Sequence, residues 1–88
     1  MINLQKEIIV KNSIFTKAIQ IEKNPIYYSN RSTCYLELDK FKEALEDANT
    51  SIQIDPKFSK GFYKIGKVYK KTGKFEYAIE YFYKGLNI

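Results

Sequence analysis

Residues 27–35 read YYSNRSTCY, and thirty-four positions later residues 61–69 read GFYKIGKVY. Laid over each other, Tyr28 falls on Phe62, Ser32 on Gly66 and Tyr35 on Tyr69. The match continues without a gap, with Phe41 on Phe75, Ala44 on Ala78 and Ser51 on Gly85. Large positions meet large ones and small positions meet small ones. A self-match at a fixed period of this size is the signature of a repeat, in which one supersecondary unit is stacked on the next.

The spacing within a unit predicts two antiparallel helices. Tyr28 and Tyr35 lie seven apart with Ser32 between them, and Ala44, Ala48 and Ser51 recur at four and three. Both sets trace one face of an α-helix. Small residues let two helix axes approach, and the aromatics then fill the space beside them. The punctuation agrees. Asn24-Pro25 reads as an N-cap followed by proline at the first helical position. Asp39-Lys40 and Thr72-Gly73-Lys74 read as short turns, and Asp55-Pro56 ends a helix. The expectation is an all-α chain with helices near 5–21, 25–38, 42–54, 59–72 and 75–87, burying Tyr28, Tyr35, Phe62, Tyr69, Ala44, Ala78 and Phe82.

The pattern resembles the tetratricopeptide repeat. Phe62, Ile65, Gly66, Tyr69, Ala78, Phe82 and Gly85 follow that family's order of bulky, aliphatic and small residues. In the unit before, Tyr28, Ser32, Tyr35, Ala44 and Pro56 hold the pattern, while Arg31 stands for the aliphatic and Ala48 for the aromatic. The resemblance implies a helical-repeat domain over 1–88, with full repeats at 25–58 and 59–88. AIQIE at 18–22 echoes SIQID at 51–55, so 1–22 reads as the second helix of a first repeat whose own first helix would lie before Met1. Lys11 then occupies the place of Ala44. Leu4, Ile8, Phe15, Ala18 and Ile19 form an apolar stripe that should pack partly on the helix at 25–38. Its uncovered part, with the apolar C-terminal end, suggests a homo-oligomer through the terminal helices.

Composition narrows the chemistry. The chain has 88 residues, 44% hydrophobic and 28% charged, which suits one small globular domain. Histidine is absent, which removes the commonest general base and metal ligand. One cysteine without histidine rules out the usual zinc sites, and the four glycines form no phosphate loop. Cys34 has no activating neighbour in the sequence and reads as a small buried helix residue. The expectation is a non-catalytic protein with no cofactor and no metal. No long apolar run and no signal-type N-terminus is present, so a reducing, cytoplasmic setting is expected. Net charge is +5, and Arg31 is the only arginine among fifteen basic residues. An A/T-rich coding sequence would give the same lysine excess, so position must carry any argument for a site.

Asn30 supplies that position. It lies two residues from Tyr28 and so points away from the packed face. Thirty-four residues on stands Lys64, and Lys60 lies one turn before it on the same helix face. An amide and two ammonium groups on adjacent first helices suit a carboxylate. YSNRS and SKGFYK are similar to the carboxylate clamp of chaperone-binding tetratricopeptide domains. That resemblance implies a heat-shock chaperone tail of the Glu-Glu-Val-Asp type as ligand, with Asn30, Lys60 and Lys64 as peptide-binding residues. Lys67, with Lys71, continues the same basic face. Two further clamp residues would belong to the first helix that this chain lacks. The alternative is a generic repeat scaffold, or a self-associating one, with no clamp activity. Nucleic acid is not an expected partner, because the aromatics that could stack on bases sit at packing positions. No membrane partner is expected either.

Overall fold

A computed structural model describes residues 3–88 as five helices: α1 (Leu4–Ile21), α2 (Pro25–Glu37), α3 (Phe41–Ile54), α4 (Ser59–Lys71) and α5 (Phe75–Leu86). There is no strand among the described residues. Each helix packs on the next, and α2 also touches α4. The result is a stack measuring 38 × 30 × 19 Å.

The sequence punctuation operates as written. Asn24 Oδ1 accepts from the amide of Ile26 at 2.9 Å, with Pro25 at the first helical position. Asn3 caps α1 by accepting from Lys6 N at 3.1 Å. Asp39 and Gly73, thirty-four residues apart, are the two residues with positive φ among the described residues, at 58° and 80°. In both turns the amide after them returns to a carbonyl five residues back: Lys40 N to Tyr35 O and Lys74 N to Tyr69 O, each 2.8 Å. This is the helix-terminating geometry that glycine favours, and α2 reaches it with an aspartate instead. Asp39→Gly should therefore stabilise the fold by about 1 kcal/mol, read as a higher urea midpoint with an unchanged slope.

The core is built from the small residues. Ala44, Ala48, Ser51, Ser32, Ile65 and Ala78 are buried. The Ser32 hydroxyl donates to Ala44 O at 2.7 Å, so the small-residue contact of α2 with α3 is also a hydrogen bond across the helices. A Cβ at Gly66 would lie 2.5 Å from two ring carbons of Phe82, and one at Gly61 would strike Ser51 and Ile52 of α3. Those two glycines set the α4–α5 and α3–α4 spacings. The aromatics depart from expectation: Tyr28, Tyr35, Phe62, Tyr69 and Phe82 are half-buried. Phe62, Tyr69 and Phe82 pack on other rings, with Tyr69 5.4 Å from Tyr77 and 5.7 Å from Tyr81 between ring centroids, while Tyr28 and Tyr35 flank Arg31. A stack this thin leaves one edge of each ring at the surface. Along α1, Ile8, Phe15, Ala18 and Ile19 are half-buried as expected, whereas Leu4 is exposed, together with Ile9, Val10, Ile14 and Ile21.

Candidate functional site

Asn30 on α2 and Lys64 on α4 line one cleft of about 430 Å³ between α1, α2 and α4. Each lies in the middle of its helix, well clear of fraying ends, and the cleft lies beside the α2–α4 contact. Ile8, Ile14 and Phe15 of α1 give the cleft an apolar wall. Lys60 and Lys67 line a second, larger groove along α4. Glu37 borders both and is their only acidic residue.

The electrostatics of Lys64 connect the two. Partial burial holds its pKa below the ordinary lysine value, and the neighbouring ammonium groups of Lys67 and Lys60 push the same way, with Glu37 opposing. Among the described residues the ion pairs are Arg31–Asp47 and Lys84–Glu80. Lys64 is thus a partly desolvated ammonium with no carboxylate on it, and the charged form of such a group gains from any anion that arrives. Lys64 and Lys67 also sit 5.9 and 5.6 Å from the centroid of the Tyr63 ring, a cation–π distance that limits how far they wander.

Lys11 stands outside the set of binding residues that the sequence suggests. It lines the same cleft as Asn30 and Lys64. The signal was there: a lysine where the next units have Ala44 and Ala78. Cys34 also borders this cleft but is buried, and burial with the nearby Glu37 pushes its thiol pKa up, which disfavours the reactive thiolate.

Arg31 has a different task from Asn30 beside it. Its Nε and Nη2 donate to both oxygens of Asp47 at 2.7 and 2.8 Å, and its Nη1 donates to Thr16 Oγ1 at 3.1 Å. The guanidinium sits between the rings of Tyr28 and Tyr35, at 5.8 and 5.6 Å. One side chain thereby ties α2 to both α3 and α1. Its pKa is raised, chiefly by the Asp47 hydrogen bond. By fixing α1 against α2, Arg31 positions one wall of the cleft that holds Lys11, Asn30 and Lys64.

A stack of helix pairs with a polar, cation-lined cleft defines a helical-repeat interaction module. Two family models described as "Tetratricopeptide repeat" match residues 25–58 and 59–88, and the chain belongs to that family. It is 40% identical over 77 residues to heat shock protein STI1 of Saccharomyces cerevisiae, covering 85% of this chain and 13% of that protein. It is 32% identical over 75 residues to the small glutamine-rich tetratricopeptide repeat-containing protein 2 of Mycosarcoma maydis, covering 84% of this chain and 21% of that protein. The chain thus spans a small part of these relatives. Among solved structures, the Sgt2 tetratricopeptide domain from Aspergillus fumigatus superposes with a TM-score of 0.87 at 32% identity, over 96% of this chain and 56% of that one. The second such domain of Spaghetti (RPAP3), bound to the HSP90 peptide SRMEEVD, superposes with a TM-score of 0.77 at 29% identity, over 85% and 70%. The chain is therefore a protein-interaction module related to domains that bind chaperone peptides. Among the described residues no helix is long and apolar enough to cross a membrane.

Proposed function

We propose that this chain is a non-catalytic, cytoplasmic co-chaperone module that holds the acidic C-terminal tail of a heat-shock chaperone. Asn30, Lys60, Lys64 and Lys67 receive the tail, and Lys11 takes part with them. The observation that carries this reading is the cleft itself: one amide and two ammonium groups, from Asn30, Lys11 and Lys64, border a single space, and Lys64 has no carboxylate paired to it. Lys11 and Lys64 supply charge-assisted bonds to the terminal carboxylate, and the Asn30 amide orients it. The apolar wall of Ile8, Ile14 and Phe15 suits an aliphatic side chain beside that carboxylate. Lys60 and Lys67 lie along α4, where the acidic side chains further up a tail would run. The relative solved with an HSP90 peptide ending in Glu-Glu-Val-Asp supports the choice of ligand class.

Titration with an acidic peptide ending in a free carboxylate, against its amidated twin, tests the reading. The amidated peptide should bind at least about tenfold more weakly, because one charge-assisted hydrogen bond contributes about 1.5–3 kcal/mol. Equal affinity for the two peptides removes the clamp and leaves a repeat scaffold that binds by other contacts.

A further inference from the structure

The far end of the stack carries an apolar stripe with a definite register. Phe75, Ile79, Tyr83 and Leu86 follow one another along one side of α5 and are 61%, 67%, 68% and 84% exposed. Thirty-four residues earlier the same positions are Phe41, Leu45, Asn49 and Ile52, all half-buried on α3, against which α4 lies. There α4 comes so close that a side chain on Gly61 would strike Ser51 and Ile52. The repeat equivalents of those two residues are Gly85 and Leu86, and both line the groove of about 1020 Å³ beside the stripe. The groove is therefore a helix seat, one repeat beyond the seat that α4 fills.

The rim says which helix fits. Lys60, Lys67, Lys70 and Lys71 border the groove, with Glu37 the one acid. An occupant needs an exposed apolar stripe and a flank that is not basic. Helix α1 has exposed apolar residues but carries Lys6, Lys11 and Lys17 against Glu7, and α4 carries five lysines and no acid. Helix α5 carries Glu76 and Glu80 against Lys84, and its stripe is free. We propose that a second copy of this chain seats its α5 on this face, giving a two-fold dimer. A two-fold axis across α5 sets the two helices antiparallel, the same sense that short turns impose on consecutive helices of the stack. The stripe is then self-complementary: Phe75 faces Leu86 of the partner subunit, and Ile79 faces Tyr83 of the partner subunit. Glu76 and Glu80 approach the lysine rim of the other copy. The exposed Glu80–Lys84 contact, at 3.4 Å, is weak enough to exchange. The cleft holding Asn30 and Lys64, against α1, is separate from this groove, whereas Lys60 and Lys67 border the groove, so a bound tail and the partner helix compete for those two lysines.

Sedimentation velocity across the micromolar range tests the dimer. The chain should show a concentration-dependent monomer–dimer equilibrium. Ile79→Glu with Tyr83→Glu should weaken it by at least about tenfold, since these two side chains lie at the centre of the apolar contact. Both residues are exposed, so helicity by circular dichroism should not change. Glu76→Lys with Glu80→Lys should also weaken the dimer, whereas Val10→Glu and Ile21→Glu on α1 should leave it as it is. A monomer throughout the range overturns the proposal, as does a dimer that survives the α5 changes or is broken by those on α1. A monomer that acquires a tightly bound helix of another protein on this face would assign the seat to that partner and overturn the two-fold dimer equally.

Discussion

Replacing Arg31 by methionine is expected to cost about 3–5 kcal/mol of folding stability. The reason is the carboxylate left behind. Asp47 is almost fully buried, and Arg31 is its partner for both oxygens. Without the guanidinium, Asp47 must stay charged in a poorly solvated place or take up a proton. Against a typical margin of about 5–15 kcal/mol for small domains, that loss takes a large share of the total stability. A second variant separates the pair from the position. The later repeat has Ile65 and Tyr81 where this one has Arg31 and Asp47. Arg31→Ile with Asp47→Tyr therefore copies a solution this fold already uses, and should recover most of the loss. Urea unfolding followed by circular dichroism reads both. A single variant within about 1 kcal/mol of the parent chain would show that Asp47 finds water and that the pair is not structural.

The same pair shows where the sequence stops being legible. Helix boundaries came within about one residue, because caps, turns and the repeat register are local and coincide. The small-residue seams were equally plain, since Ser32, Ala44 and Gly66 can only be close approaches at that spacing. Arg31 looked like a flaw in the repeat. Its meaning needs Asp47, sixteen residues away on another helix, and Thr16 on a third. One trace was available: Arg31 and Asp47 depart from Ile65 and Tyr81 together, and a paired departure points to a contact. The site was read in the same partial way. Asn30, Lys60 and Lys64 could be placed on one side of their helices by period alone. That Asn30 and Lys64 border one cleft while Lys60 and Lys67 border the next depends on how α2 and α4 cross. Lys11 was hidden for a further reason. Its place in the cleft follows from α1 lying on α2 with no other helix over that face among the described residues, and a packing rule that expects alanine there reads lysine as noise.

The effect of removing Lys64 follows from its surroundings. Lys64→Ala should weaken binding of an acidic, free-carboxylate tail by about tenfold or more, the equivalent of one charge-assisted hydrogen bond. Lys11→Ala should have a smaller effect, because Lys11 is exposed and its charge is better screened. The fold should be unchanged in both, since neither residue belongs to the buried set. The pH dependence gives a second reading. In the free chain, burial and the charges of Lys67 and Lys60 hold the Lys64 pKa below 10.5. A bound carboxylate favours the ammonium and raises that pKa, so binding is coupled to proton uptake once the free amine begins to lose its proton. Affinity should then be flat near neutrality and fall as the pH rises through the lowered Lys64 pKa, earlier than an ordinary exposed lysine would give. Lys64→Arg keeps a cation whose charge does not titrate in that range. It should bind the tail at neutral pH and lose this alkaline fall. If the arginine variant and the parent chain decline together, Lys64 is not the group that meets the carboxylate, and the clamp assignment on α4 fails with it.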